Sequence, residues 1–328
     1  MRILSYLCRV EKMGRELKIL KLEDGGAFGS LREKPFVTVG MFDGVHAGHR
    51  CLLEELCTKA KAAGAETVVV SFSSHPRAVL GTTEGGFGLL QTNERRFEKI
   101  ASCGVDWLLP LAFTRTLAML SASAFMDMLI ERLNPQELLL GYDNRFGKKG
   151  DTGFDEIIAR GQYRGVKVER SKGRVLCEGA EVSSTRIRKA LHEGRVDLAA
   201  KMLEEPYYVA GRVEAGRRIG RRIGFPTANV CLETDKLVPK EGVYAVRVRI
   251  GKAEYGGVLN LGGKPTVDAS AWSCEVNIFG FSGDLYGKEI EIGFESYLRE
   301  QRRFASLEAL RKQIAADCDE AKKILGIV

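Results

Sequence analysis

The stretch Val37-Thr-Val-Gly-Met-Phe-Asp-Gly-Val-His-Ala-Gly-His-Arg50 decides the fold of the first half of the chain. It begins as an apolar run of β-type residues and carries no charge before Asp43. Its second half contains three glycines and two histidines, at Gly40, Gly44, Gly48, His46 and His49. The apolar residues that follow have the spacing of one helix face, at Leu52, Leu53, Leu56 and Ala60. The stretch therefore predicts a strand, a tight glycine turn and a helix.

The two histidines lie where the chain enters the predicted helix. A helix N-terminus offers free backbone N–H groups and a positive dipole end, which suit a phosphate group. Imidazoles at this place can donate hydrogen bonds to phosphoryl oxygens as negative charge develops. The stretch has neither the Gly-Lys-Ser/Thr of a Walker loop nor the G-x-G-x-x-G of a dinucleotide turn. It predicts a phosphate site of another kind.

Length and composition narrow the class of protein. A chain of 328 residues with 45% hydrophobic content suits two ordinary domains. It has no apolar run of membrane-spanning length, and its first ten residues are too short and mixed for a secretory signal. The eight cysteines form no Cys-x-x-Cys pair, which favours free thiols in a reducing cytoplasm. The net charge of +7 fits either nucleic acid or anionic small molecules such as nucleotides.

The first half alternates short apolar strands with helical periodicity. Strands are predicted at 36–42, 66–73, 106–110 and 136–141, and helices at 48–63, 93–103, 122–133 and 153–162. Residues 1–34 are expected to form partly an edge element and partly a loop. This alternation indicates a parallel sheet covered on both faces, with the glycine turn at the carboxyl edge where ligands bind.

The segment Glu181-Val-Ser-Ser-Thr-Arg-Ile-Arg188 predicts a second anion site. Ser183 or Ser184 can cap a helix whose first turn carries Thr185, Arg186 and Arg188. Hydroxyl and guanidinium groups at a helix start bind anions. Alone, such a string is more often a capped surface helix. We predict a first domain at 1–188 and a second at 189–328, of which 189–205 is a helical connection.

The second half has the alternation of antiparallel strands. Strands are predicted at 207–214, 242–250, 254–261, 273–280 and 288–294, which indicates a small closed barrel. A helix capped by Ser306 is predicted at 306–325. Between the first strands lies Gly216-Arg-Arg-Ile-Gly-Arg-Arg-Ile-Gly224, a permissive basic loop whose backbone could surround phosphates. It lacks the interleaved aromatic residues of a single-strand nucleic-acid binder.

Two motifs resemble one known family. Gly40 to His49 is similar to the signature of the flavin branch of the nucleotidyltransferases, and Gly224-Phe-Pro-Thr-Ala-Asn229 resembles that of riboflavin kinases. From about residue 35 to its end, the chain resembles the bacterial bifunctional riboflavin kinase/FAD synthetases. Supporting segments are 71–76, 141–147, 183–188, 260–266, 284–287, Glu275 and 298–299. The chain departs from the family pattern at Ser74, Asn144, Lys264, Asn277 and Glu204-Glu205.

The resemblance implies a Rossmann-like α/β nucleotidyltransferase domain, then a small antiparallel β-barrel domain with a C-terminal helix. It implies that the barrel transfers the γ-phosphoryl group of ATP to riboflavin to give FMN. The first domain would then transfer AMP from a second ATP to FMN, giving FAD and pyrophosphate. ATP is the implied co-substrate and Mg²⁺ the implied metal.

The resemblance also implies roles for individual residues. Catalysis falls to Glu275, as the base of the kinase, and to His46, His49 and Arg186 in adenylyl transfer. Contacts with ATP or phosphate fall to Gly40, Phe42, Asp43, Gly48, Ser183, Ser184, Thr185, Arg188, Gly216, Gly220, Gly224, Thr227 and Asn229. Contacts with flavin fall to His75, Pro76, Asp143 and Arg299. Thr227 and Asn229 are also the expected Mg²⁺ ligands. Whether Asp43 organises the turn or contacts Mg²⁺ stays open.

Three alternative hypotheses remain at this point. The protein could be a riboflavin kinase whose adenylyltransferase domain is weak or inactive, given Ser74 and Asn144. It could be a basic nucleic-acid-binding protein, which would leave the histidines and Glu275 unexplained. It could be a flavin-binding regulator without turnover. We expect small-molecule partners, no nucleic acid and no membrane; the sequence leaves homo-oligomerisation open.

Overall fold

The computed structural model describes residues 17–20, 31, 34–74, 88–142, 154–216, 220, 223–232, 235–263 and 272–327. The chain forms two compact units, Met1–Val182 and Ser183–Val328. This division lies N-terminal to the predicted domain boundary at residue 188, so the Ser183–Arg188 segment belongs to the second unit. Every helix of the described residues is too short or too polar to span a bilayer.

The first unit is built on a six-stranded parallel sheet with the order β1-β4-β3-β2-β5-β6. Its strands are β1 (Lys18–Ile19), β2 (Phe36–Val39), β3 (Thr67–Phe72), β4 (Trp107–Leu111), β5 (Glu137–Leu140) and β6 (Lys167–Arg170). Every residue of β2 is buried, as expected for a strand covered on both faces. The predicted parallel sheet is confirmed, and the short edge strand β1 lies in the predicted lead-in segment.

Helices pack on both faces of this sheet. They are α1 (Ala47–Ala62), α2 (Asn93–Ser102), α3 (Arg115–Ala118), α4 (Ala122–Leu133) and α5 (Phe154–Tyr163). Two apolar clusters result, because successive strand residues point to opposite faces. Val37 and Val39 pack with α4 in one cluster, and Phe36 packs with α1 in the other. A two-stranded ribbon, β7 (Leu176–Cys177) and β8 (Ala180–Glu181), follows.

The order of the strands sets the place of a ligand. β2 pairs with β3 on one side and with β5 on the other, so the direction of winding reverses beside β2. In open α/β sheets, ligands bind outside the carboxyl ends of strands at such a point. The turn that follows β2 is therefore at the expected binding edge.

The second unit begins with two short helices, α6 (Ser184–His192) and α7 (Val196–Leu203). The segment 189–205, predicted as a helical connection, contains the end of α6, a turn and all of α7. The chain turns at Gly194, which has a φ of 79° in the left-handed region. A Cβ at Gly194 would lie 3.1 Å from the Tyr297 ring, so close packing also favours glycine here.

The rest of the second unit is a closed antiparallel barrel with the order β10-β13-β12-β11-β14-β9. Its strands are β9 (Tyr207–Glu214), β10 (Ala228–Leu232), β11 (Gly242–Ile250), β12 (Ala253–Gly263), β13 (Trp272–Ile278) and β14 (Glu289–Arg299). The predicted barrel is confirmed. The predicted terminal helix is α8 (Leu307–Leu325), and Ser306 caps it by accepting from the N–H of Ala309. β10 was not predicted as a separate strand.

Candidate active sites

The turn between β2 and α1, Gly40–His49, is called the histidine turn here. Phe42 and Val45 have φ angles of 50° and 35°, and Gly44 has 93°. A residue other than glycine in the left-handed region costs on the order of 1–3 kcal/mol, and such residues are typical of functional sites. The side chains of Phe42 and Val45 are buried, and both belong to the apolar cluster in which Phe36 packs with α1. Core packing therefore holds the histidine turn in a conformation that the local sequence disfavours.

Both histidines of the turn have fixed positions. His46 is the N-cap of α1, and its Nδ1 accepts from the N–H of His49 at 3.3 Å. The two rings are stacked, with centroids 3.6 Å apart. The edge of the Phe42 ring packs against His49 at 5.2 Å. Burial, then the charges of His46 and Arg96, lower the pKa of His49 well below its usual value. His49 is thus a neutral ring at neutral pH.

Asp43 connects the histidine turn to the segment before α2. Its buried carboxylate accepts from the N–H of Leu90 at 3.1 and 3.2 Å and from the N–H of Gln91 at 3.2 Å. These bonds organise the turn, which was one of the two roles left open by the sequence. Gly48 is required by close packing, because a Cβ there would lie 3.3 Å from the His46 ring.

The predicted flavin side of the first unit is only partly described. Ser74 stands where the family pattern has proline, and its Oγ bonds to the backbone of Phe113, donating to O at 3.1 Å and accepting from N at 3.0 Å. A side chain that fixes the backbone in this way can replace the rigidity of a proline ring. His75, Pro76, Asp143 and the departures at Asn144 and Lys264 lie outside the described residues.

The predicted phosphate helix is α6, at the start of the second unit. Ser183, rather than Ser184, is its N-cap, and its Oγ accepts from the N–H of Arg186 at 3.2 Å. Thr185 is exposed, whereas Arg186 and Arg188 are half-buried. The Nη1 of Arg188 donates to Ser184 O at 3.3 Å.

The basic segment Gly216–Gly224 is called the glycine loop here. Its three glycines are required for different reasons. A Cβ at Gly216 would lie 2.0 Å from Asn229 Nδ2, and a Cβ at Gly220 would lie 2.2 Å from Phe225 O and 3.2 Å from Thr227 Oγ1. Gly224 has open space around it but a φ of 86°. The loop therefore packs directly against Thr227 and Asn229, the two predicted metal ligands.

Glu275 lies beside these residues in the barrel. Asn229 of β10 is the register partner of Glu275 in β13, and Glu275 is the partner of Asn260 in β12. Residues directly opposite each other in adjacent strands share a face of the sheet. This face is turned toward α8, because Val258, which shares a face with Asn260, packs there with Cys318. Glu275 is half-buried and accepts a long hydrogen bond, 3.5 Å, from Ser273 Oγ.

Arg299, a predicted flavin ligand, binds another residue in this structure. Its Nε and Nη2 donate to the two carboxylate oxygens of Asp317 at 2.9 and 2.6 Å. Gln313 Nε2 also donates to Asp317, at 2.7 Å. Asp317 is almost fully buried, so this bidentate pair attaches α8 to the end of β14.

Comparison with known proteins assigns the two units. A family model described as FAD synthetase matches residues 30–186, and one described as riboflavin kinase matches residues 203–325. The bifunctional riboflavin kinase/FMN adenylyltransferase of Escherichia coli strain K12 is 36% identical, covering 89% of this chain and 93% of that protein. The protein of the same description from Pseudomonas fluorescens is 39% identical, covering 88% and 92%. The chain belongs to this family.

A solved structure supports the fold of this family member. A Streptococcus pneumoniae protein described as a macrolide-efflux protein superimposes with a TM-score of 0.80 at 31% identity, covering 89% of this chain and 94% of that chain. The predicted family and the order of its two enzyme domains, FAD synthetase and then riboflavin kinase, are confirmed. The comparisons give no support to the alternative of a kinase with an inactive first domain.

Three residues that support the candidate sites were not predicted from the sequence. Asn277, one of the departures, donates from Nδ2 to Pro226 O at 2.7 Å and so holds the backbone next to Thr227. Asp317 accepts a hydrogen bond from Arg299. Arg96 is fully buried in the first unit. Helical spacing was the available signal, since Arg96 precedes the buried Ile100 by one turn and Asp317 precedes the buried Ala321 by one turn.

The two predicted metal ligands beside the glycine loop, Thr227 and Asn229, fit the Mg²⁺ ion that the family implies. Thr227 faces Gly220 with its Oγ1, and the side-chain amide of Asn229 lies against Gly216. Both side chains carry an oxygen, and Mg²⁺ prefers oxygen ligands. The described residues contain no cluster of three or more histidine, cysteine or acidic side chains that could hold a metal. A magnesium ion bound here would therefore take most of its ligands from substrate phosphates and water, which is its usual behaviour.

Proposed function

We propose that this protein makes FAD from riboflavin in two ATP-dependent steps, one in each unit. The proposal is supported by the two family matches, each of which falls almost entirely on one unit and contains one of the two predicted phosphate loops. The histidine turn lies in the FAD synthetase match, and the glycine loop lies in the riboflavin kinase match. ATP, riboflavin and FMN are the proposed substrates.

In the kinase step, a ribityl hydroxyl of riboflavin attacks the γ-phosphorus of ATP, and the bond to the β-phosphate oxygen breaks. The hydroxyl must lose its proton, and Glu275 is the proposed base because it lies next to Asn229 on the barrel face. Thr227 and Asn229 would hold Mg²⁺, which neutralises phosphate charge when bound. The glycine loop would cover the phosphates. Phosphoryl transfer needs mainly this positioning and charge stabilisation.

In the adenylyl transfer step, a phosphate oxygen of FMN attacks the α-phosphorus of a second ATP, and pyrophosphate leaves. The nucleophile is already an anion, so no general base is required. The enzyme must instead stabilise negative charge, and His46 and His49 are the proposed hydrogen-bonding groups. On sequence grounds, Thr185, Arg186 and Arg188 are proposed to bind phosphate in the same step. His75, Pro76, Asp143 and Arg299 stay predicted flavin contacts.

The test is to incubate purified protein with riboflavin, ATP and Mg²⁺ and to separate the flavins by chromatography over time. We expect FMN to appear first and FAD to follow, with pyrophosphate released in step with FAD. FMN without FAD would favour the alternative of an inactive first domain. Absence of both products from folded protein would contradict the proposal. Omitting Mg²⁺ or replacing it with a chelator should stop the kinase step.

We infer a cytoplasmic protein because the seven described cysteines form no disulfide with one another. Nucleic-acid binding through the glycine loop predicts affinity for oligonucleotides that falls steeply with salt. We expect no such binding at physiological salt. Light scattering in solution would determine whether the protein forms a homo-oligomer.

A further inference from the structure

Arg96 of α2 is completely buried, which is exceptional for an arginine. Its Nη2 donates to Phe72 O, the last carbonyl of β3, and to Asn93 Oδ1 at 2.7 Å. Asn93 in turn donates from Nδ2 to Ser73 O at 2.7 Å. The start of α2 is thus bonded to two successive carbonyls at the carboxyl end of β3.

The charge of Arg96 is only partly compensated. Its Nε and Nη1 have no hydrogen-bond partner among the described residues. Burial lowers the pKa of Arg96 to about 10, and the negative charge of Asp43 opposes this shift. The side chain therefore stays protonated at neutral pH. A buried charge without full compensation costs several kcal/mol, and such a cost is retained in proteins where the charge has a use.

The charge lies next to the histidine turn. The end of β3 is bonded to this turn, since Gly40 N donates to Val70 O at 3.0 Å and Ser71 Oγ donates to Met41 O at 3.3 Å. The charged or titratable groups that act on His49 are His46, from its own turn, and Arg96, from α2. The Nδ1 of His49 is also buried and has no hydrogen-bond partner among the residues that the structure describes. Two groups with such nitrogens, one on α2 and one in the histidine turn, therefore lie at the binding edge of the sheet.

We propose that Arg96 is a positioning residue for adenylyl transfer: it fixes the end of β3, which is bonded to the histidine turn, and provides a buried, permanent positive charge at this edge of the sheet. Because arginine does not titrate in the working range, this charge does not depend on pH. A charge in a low-dielectric interior acts over a longer distance than one in water. It can therefore favour the anionic transition state without contacting the substrate, while the neutral ring of His49 makes the hydrogen bond.

The experiment measures the titration of the His49 ring by NMR in the full-length protein, with the signal assigned by its loss in His49→Ala. Arg96→Met removes the charge, so protonation of His49 becomes easier and its pKa should rise, while burial and His46 still hold it below its usual value. Arg96→Lys keeps the charge and should leave the pKa of His49 low. Arg95→Met, which removes a partly exposed cation one residue away on α2, is the matched control and should have no effect.

A folded Arg96→Met protein with the wild-type His49 titration would overturn the proposal and leave Arg96 with a structural role only. If Arg96→Met does not fold, Arg96→Gln, which keeps a polar group at the buried position, takes its place with the same expected result. This titration needs no turnover, so it is independent of the proposed function on which the inference rests.

Kinetics supply the second measurement. In FAD synthesis from supplied FMN, Arg96→Met should lower kcat, by less than the roughly 10²-fold loss expected for removing a direct donor. It should also move the acidic limb of the pH–rate profile to higher pH, because His49 now protonates earlier. Arg96→Lys should restore the position of this limb. An unchanged limb in Arg96→Met, together with a raised pKa of His49, would show that the state of this ring does not control the reaction.

Discussion

The histidine turn and the glycine loop are two proposed phosphate sites of opposite construction. In the histidine turn, the functional side chains are packed: His46 is buried and caps α1, and its ring is stacked on His49. In the glycine loop, the backbone is permissive, and the side chains of Thr227 and Asn229 occupy the space that Cβ atoms would need.

This difference follows the needs of the two proposed reactions. An anionic nucleophile needs a rigid, positive environment and no base, and stacked rings at a helix N-terminus suit that need. A hydroxyl nucleophile needs a carboxylate and a loop that closes around phosphates, and Glu275 beside the glycine loop provides both. The comparison indicates that phosphate sites are better classified by the group that attacks than by the phosphate that is bound.

The largest expected effect is that of Glu275→Gln on the kinase. Glutamine keeps the size of the side chain but cannot accept a proton near neutral pH, so kcat should fall roughly 10²–10⁴-fold. Riboflavin affinity, measured by fluorescence quenching, should change little because the interaction is made mainly in the transition state. Glu289→Gln, an exposed change on β14, is the control. A near-normal rate in folded Glu275→Gln would remove Glu275 as the base.

The converse change is His49→Ala in the histidine turn. FAD synthesis from supplied FMN should slow by roughly 10²-fold or more, the scale for losing a donor to developing charge. The kinase rate of the same preparation should stay near wild type, because that site lies in the other unit. His192→Ala, which removes an exposed histidine at the end of α6, should affect neither rate. Wild-type FAD synthesis in His49→Ala would exclude the histidine turn as the site of this step.

A third prediction concerns where the two sites can be separated. Fragments starting at residue 183 and at residue 189 should both fold and convert riboflavin to FMN. The shorter fragment lacks the Ser183 cap and the fully buried Ile187 of α6. Its free energy of unfolding should be about 2–3 kcal/mol lower in urea titrations, the sum of a lost cap and a lost aliphatic contact. Equal stabilities would show that the first turn of α6 is not part of the kinase unit.

The smallest effect is expected for an ion pair of the first unit that lies in neither loop. Hydrogen bonds from Lys167 and then Lys59 lower the pKa of Glu169 to about 2. The folded state therefore gains stability above the unfolded pKa, about 4.3, and loses it as the pH falls toward 2. Because Glu169 is one-third exposed, Glu169→Gln should cost at most about 1 kcal/mol at neutral pH.

Unfolding of Glu169→Gln in urea at pH 7 and at pH 3 measures this effect. The difference from wild type should narrow at the lower pH, and both activities at pH 7 should be unchanged. A difference that grows as the pH falls would contradict the assignment of the shifted pKa to Glu169.

The sequence by itself determined the architecture and the position of both loops. Patterns such as the buried run of β2 or the alternation of β11 are local, because side chains in a strand have a period of two residues. The glycine and histidine spacings of the two loops are also local patterns, because a tight turn depends on residues that are neighbours in the chain. The family resemblance then assigned a reaction to each unit, and the comparisons confirmed the family.

The tertiary structure alone decided how those residues are held. Asp43 bonds to Leu90 and Gln91, Gly216 must leave room for Asn229, and Asn277 holds Pro226, and each of these relations joins residues that are distant in the chain. In the sequence, Arg96 resembles a surface residue of a charged helix, but the fold buries it and bonds it to the end of β3. Burial and hydrogen bonding depend on which segments the fold brings together, and a local sequence pattern does not contain that information.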